Sequence, residues 1–134
     1  MRPVFKPAAL VFGALICISL CTGCGAKQGY RTMDMEEAVE AMAQEPDCLV
    51  VDVRTQEEYE KGHIPGSILL PVDDIRAGKV ERLSDKEQLI LIYCYTGRRA
   101  EDAAALLADM GYTNVCAFGG IVDWKGEVAV GPED

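Results

Sequence analysis

The chain has a single histidine, His63, and is short of positive charge: 13 Lys and Arg stand against 22 Asp and Glu, a net charge of −9. That balance argues against nucleic acid as a partner and against electrostatic adhesion to anionic lipid. Beyond residue 24 only Cys48, Cys94 and Cys116 remain, an odd number of cysteines with no short spacing between them. With one histidine, this set builds neither a zinc site nor a C-x-x-C redox pair, so no metal and no cofactor are expected. Cys48 and Cys116 lie in apolar runs and read as buried small hydrophobes, which leaves Cys94 as the cysteine to explain. The glycine fingerprint of dinucleotide-binding folds is missing too. A length of 134 residues suffices for one domain with a real core, not for a double nucleotide-binding unit.

The first part of the chain does not belong to that core. Arg2 and Lys6 precede Ala8–Leu20, an apolar stretch without a charge that is short of the roughly 20 residues a membrane-spanning helix needs. Small residues Thr22 and Gly23 then lead to Cys24. This is the layout of a secretory signal. Its end resembles the lipobox of bacterial lipoproteins, except that Cys21 stands where leucine is usual. The resemblance implies a signal peptide over residues 1–23, lipidation of Cys24 as the mature N-terminus, and a short tether over 24–31. An uncleaved anchor and plain secretion are the alternatives. Loss of residues 1–23 removes Arg2 and Lys6 and no acid, taking the net charge from −9 to −11. Any membrane attachment therefore rests on the lipid. The expected setting is the cell envelope, at the outer face of the cytoplasmic membrane or in the periplasm.

Residues 32–134 read as alternating strands and helices. Asp34 with Glu37 forms a capping box that opens a helix over Met35–Gln44, with Met35, Ala38, Val39 and Met42 at helical spacing. Cys48–Val53 is a near-continuous apolar strand of the kind buried in a parallel sheet. Thr55 with Glu58 makes a second capping box, for a short helix that Gly62 closes. His63–Ser67 is a turn into the strand Ile68–Leu70, and Pro71–Val80 is loop or short helix. Leu89–Tyr93 is a strand, and the helix after Arg99 carries Ala103, Leu106, Leu107 and Met110 on one face before Gly111. Val115–Phe118 is a further strand. Gly119-Gly120 turns into a last short helix bearing Trp124, and an irregular tail runs from Val128 to Asp134. The fold class is α/β, a small central parallel sheet flanked by helices on both faces.

Cys94 ends an apolar strand and is followed by Tyr95, Thr96, Gly97, Arg98 and Arg99 before a helix begins. A thiol there lies in the field of a helix N-terminus beside two fixed positive charges, and both favour the reactive thiolate. Ligands of open parallel sheets sit outside the carboxyl ends of the strands, where Cys94, Asp52–Arg54 and Gly119-Gly120 all lie. The loop amides can point inward at an anion, and Gly97 relaxes the backbone of such a cradle. Arg98 and Arg99 oppose the helix macrodipole, usually at a cost of a few tenths to about 1 kcal/mol. Glu101 and Asp102 offset this only in part, and a bound anion or thiolate removes the conflict. The pattern points to a sulfur-handling nucleophile that accepts an anionic substrate.

At this point a family resemblance emerges. Val51-Asp52-Val53-Arg54, Glu57-Glu58-Tyr59, Gly62-His63-Ile64-Pro65-Gly66-Ser67, the loop Cys94 to Arg99, and Gly119-Gly120 followed by Trp124 together resemble a single-domain rhodanese, over Met33 to Trp124. The resemblance implies a rhodanese-like domain over 32–134 acting as a monomer. In it Cys94 takes a sulfane sulfur from an anionic donor such as thiosulfate, holds it as a persulfide and passes it to cyanide or a thiol. It also implies that the backbone of Tyr95, Thr96, Gly97, Arg98 and Arg99 cradles the persulfide, with the two arginines drawing in the donor. Asp52 and Arg54 then orient the loop, His63 belongs to a structural turn, and Trp124 to the core. Tyr95 lines the pocket or lies on the surface. A sulfane-sulfur carrier or sensor without turnover is the alternative. An arsenate or phosphate ester enzyme fits less well, because related folds place Arg six residues after the cysteine. Here that position is Ala100, and the tighter loop suits a single sulfur atom.

Overall fold

The computed structural model describes residues 29–133, so the expected signal peptide and Cys24 lie outside the described residues. Among the described residues no helix is long and apolar enough to cross a membrane. The elements follow in the order β1 (Arg31–Thr32), α1 (Met35–Gln44), β2 (Leu49–Asp52), α2 (Gln56–Lys61), β3 (Ile68–Leu69), α3 (Val72–Arg76), β4 (Ile90–Cys94), α4 (Arg98–Asp109) and β5 (Val115–Gly120). Both expected capping boxes form: Asp34 and Thr55 accept from the N–H of Glu37 and Glu58, whose carboxylates reach back to the cap N–H groups. Each satisfies two orphan donors of its helix start, which is why both helices begin where the sequence predicts.

All strand pairs in the five-stranded sheet are parallel, in the order β1-β5-β4-β2-β3. Chain direction across the sheet reverses between β2 and β4, so the carboxyl end of β4 sits at a topological switch point, where open sheets form their crevice. Side chains alternate between two cores. Ile90, Ile92 and Cys94 face one together with Val72 and Ile75 of α3 and Ala100, Ala103, Ala104 and Leu107 of α4. Leu91, Tyr93, Cys116 and Phe118 face the other, against Ala38 of α1. The period-two pleat thus decides that Cys94, not Tyr93, points under the start of α4.

Five sequence expectations change. Arg31, assigned to the tether, pairs with Cys116 in an edge strand too short to carry a hydrophobic pattern. Gly119-Gly120 is not a turn but the end of β5. Ile92 pairs with Ala117 while Cys94 pairs with Gly120, so β5 carries an extra residue there, and Gly119 at φ 98° accommodates the bulge. Val39, placed on the inner face of α1, is 47% exposed, and Cys48 is only half-buried. The tail is tied down as well: Ala129 exchanges backbone hydrogen bonds with His63, and Glu133 pairs with Arg82 and accepts from the Leu69 N–H.

A buried polar network joins β2, β4 and the Gly62–Ser67 turn. Arg54 donates to both oxygens of Asp52, with Nη2 at 2.7 Å from Oδ2, and to the Gly62 carbonyl at 2.7 Å. The Tyr93 hydroxyl takes the Ile64 N–H and meets Ser67 Oγ, each at 3.0 Å, and Tyr59 donates to the Ser67 carbonyl. His63 stacks on Tyr59 at 3.7 Å and bonds its carbonyl through Nδ1, a structural part. Removing one member of a buried ion pair leaves the other uncompensated, at a cost of roughly 3–5 kcal/mol. Arg54→Met is therefore expected to lose stability on that scale in urea denaturation, because Asp52 is completely buried.

Candidate active site

Cys94 is the last residue of β4 and is only 1% exposed. The chain leaves the strand through Tyr95 and Thr96 and re-enters helix at Arg98, with Gly97 as N-cap at φ 117°. This left-handed value is one that side chains rarely adopt. It aims the Gly97 N–H at the Cys94 sulfur, 3.0 Å away. Within α4, Glu101 is the first residue whose N–H finds a carbonyl, that of Gly97. The N–H groups of Arg98, Arg99 and Ala100 therefore have no acceptor in their own helix, and α4 presents its positive end beside the sulfur.

Glycines of β5 brace the loop from below. A Cβ on Gly120 would lie 1.9 Å from the Tyr95 carbonyl oxygen, and one on Gly97 would lie 3.2 Å from Gly119 Cα. The Tyr95 carbonyl accepts from the Val122 N–H at 3.3 Å. Two segments distant in sequence, Tyr95–Gly97 and Gly119–Val122, thus meet backbone to backbone. Beside them runs a cleft of about 1060 Å³, lined by Met33, Met35, Val39, Phe118, Val122 and Trp124. Trp124 is half-buried against the α1 core, just beyond the short helix expected to bear it.

The structure separates the two arginines that the sequence treats alike. Arg98 is exposed and enters no ion pair among the described residues. Arg99 is half-buried and forks onto Glu58, Nη1 to Oε2 and Nη2 to Oε1, both at 2.9 Å. Those hydrogen bonds are the main force raising the Arg99 pKa, and the neighbouring Cys94 sulfur adds to it. The Glu58 carboxyl is held down at about 2, first by Arg99 and then by the backbone and hydroxyl of Thr55. Glu58 is the residue that sequence reasoning missed: its capping-box position was visible, its second partner 41 positions away was not. Tyr95 is 52% exposed, and Thr96 is exposed. Asp52 and Arg54 do not reach the loop. Their hydrogen bonds go to each other and to Gly62, so they support the turn next to it. Among the described residues no cluster of His, Cys, Asp and Glu could hold a metal ion.

Two outcomes follow from this geometry. Gly120→Ala keeps an ordinary backbone conformation, at φ −139°, but must push the loop away. It is expected to lose about 1–3 kcal/mol, the usual cost of overpacking, in urea denaturation. Glu58, with its folded pKa depressed, stabilises the fold fully above its ordinary 4.5 and loses that contribution as pH falls toward about 2. The gap in denaturation midpoint between wild type and Glu58→Gln is therefore expected to be constant near neutrality and to close between those two values.

Residues 35–127 match the family described as the rhodanese-like domain. The chain is 34% identical over 73 residues to the thiosulfate sulfurtransferase PspE of Escherichia coli K12, covering 54% of this chain and 70% of that protein. It is 40% identical over 93 residues to the tRNA uridine(34) hydroxylase of Sodalis glossinidius. There it covers 66% of its own length but spans only 26% of the relative. Among solved structures, a rhodanese with anions from E. coli superposes with a TM-score of 0.57 at 31% identity, over 62% of this chain and 98% of the other. The BH2092 protein of Bacillus halodurans superposes at 0.65 and 32%, over 75% and 77%. The matched segment takes in α1 through the residues after β5, and with them every element that frames Cys94; the chain belongs to the rhodanese-like domain family.

Proposed function

We propose that this protein is a sulfurtransferase that moves a sulfane sulfur from thiosulfate, or a similar anion, to a thiol or cyanide through a persulfide on Cys94. The Cys94 thiolate attacks the outer sulfur of thiosulfate, the S–S bond breaks, and sulfite leaves with the bonding pair. The acceptor anion then attacks the terminal sulfur of the persulfide and restores the thiolate. The observation that carries this reading is the Gly97 N–H aimed at the Cys94 sulfur at the open end of α4. Donors fixed there before reaction stabilise negative sulfur without reorganisation. Arg98, exposed and without an ion pair among the described residues, is the cation open to an approaching dianion. The loop of four residues between Cys94 and Arg99 favours a sulfur atom over a full phosphate. Likeness to PspE supports the same chemistry. The hydroxylase relatives do not carry over: the net charge of −9 does not suit tRNA.

Export belongs to this proposal, with Cys24 lipidated and the domain held as a monomer at the envelope. It is supported by Arg2 and Lys6, the uncharged Ala8–Leu20 and the Thr22-Gly23-Cys24 ending.

Thiosulfate treatment is expected to add one sulfur atom to the intact mass, removable by cyanide as thiocyanate, and to add none to Cys94→Ser. Absence of that gain, or the same gain in the serine variant, overturns the proposal. Steady-state turnover of thiosulfate and cyanide separates an enzyme from a carrier, which loads once and stalls.

A further inference from the structure

We infer that Glu58 is the positioning residue of this site, fixing the Arg99 guanidinium at the start of α4 beside the loop that leaves Cys94. The inference rests on the sulfurtransfer reading for its consequence, but its geometry stands alone. Glu58 is the third residue of α2 and has both oxygens engaged: Oε2 takes the Thr55 N–H, the Thr55 hydroxyl and Arg99 Nη1, and Oε1 takes Arg99 Nη2. The capping box orients the carboxylate from behind, and the carboxylate orients the guanidinium in front. Planar, two-pronged pairing of this kind fixes direction as well as distance, which a single contact does not.

Arg99 is also the second residue of α4, two positions after the Gly97 N–H that meets the sulfur. Its guanidinium forks onto Glu58, and Cys94 is near enough to add to the rise in the Arg99 pKa. The result is a charged tie from α2 to the start of the helix that follows the reactive loop. Arg99 meets a fixed countercharge in Glu58, while Arg98 has no ion pair among the described residues and is left to meet the donor.

The test uses Glu58→Gln. Glutamine at this position retains the capping box, so the helix keeps its start while the charged fork is lost. Glu57→Gln is the control: it removes the neighbouring carboxylate on the same helix, one that pairs only with exposed Lys61. In thiosulfate and cyanide turnover, Glu58→Gln is expected to lower kcat by about 10- to 100-fold, the scale of a misplaced catalytic group, with KM for thiosulfate changed much less. Glu58→Asp is expected to recover part of the loss, and Glu57→Gln to match wild type. Alkylation of Cys94 by neutral iodoacetamide is expected to slow in Glu58→Gln and not in Glu57→Gln, because the cation near the sulfur loses its fixed position. Wild-type kcat and alkylation rate in folded Glu58→Gln overturn the positioning role. Slowed alkylation in a protein whose wild type takes up no sulfur from thiosulfate upholds the positioning role and overturns the sulfurtransfer reading instead.

Discussion

The site depends on a contact that leaves no room for a side chain: the end of β5 pressed against the loop that leaves β4. Gly120 abuts the Tyr95 carbonyl, and Gly119 lies beneath Gly97. This approach sets where the loop can go once it leaves the sheet. It turns the Gly97 N–H onto the Cys94 sulfur and starts α4 directly above it. The bulge that makes the contact possible needs one extra residue in β5 and one positive φ, at Gly119. Backbone meeting backbone is stiffer than side chain meeting side chain, since neither partner has rotamers to yield. The loop that meets the Cys94 sulfur is held by that stiffness.

Around this contact the polar residues divide into two groups. Asp52, Arg54, Tyr93, Ser67, Tyr59 and His63 form a buried network whose bonds close on one another and on the turn at Gly62–Ser67. No buried side-chain polar atom among the described residues lacks a partner. Such a closed network specifies one arrangement of β2, β4 and the turn. Cys94, the loop amides and the arginine pair form the second group, which is the one left with unfilled capacity. Glu58 joins them by belonging to both a helix cap and an ion pair.

Much of this was legible in the residues. The two capping boxes, the limits of α1, the apolar strands and the cysteine at a strand end rest on interactions within four or five positions, or on patterns of period two and 3.6. The convergence of Cys94, Asp52–Arg54 and Gly119-Gly120 on one rim followed from parallel topology. What was not legible came from longer range. Strand β1 is two residues long and exists only because β5 offers it an edge. Arg54 next to Asp52 looked like a support for the reactive loop, but its guanidinium turns to Gly62. Val39 has the spacing of an inner position yet faces outward.

The arginines draw the boundary most clearly. Two cations at a helix start violate the macrodipole rule, and the residues alone showed that conflict and its position next to a lone thiol. Local chemistry of that kind is a property of neighbours along the chain, so the sequence by itself determined the thiol at the strand end, its loop and the charge around it. Only the tertiary structure decided which arginine is tied and which is free, because the deciding carboxylate, Glu58, lies 41 residues away. Its approach is set by how α2 packs beside the sheet. An ion pair depends on distance through space, and no pattern along the chain encodes that distance until the fold has closed it.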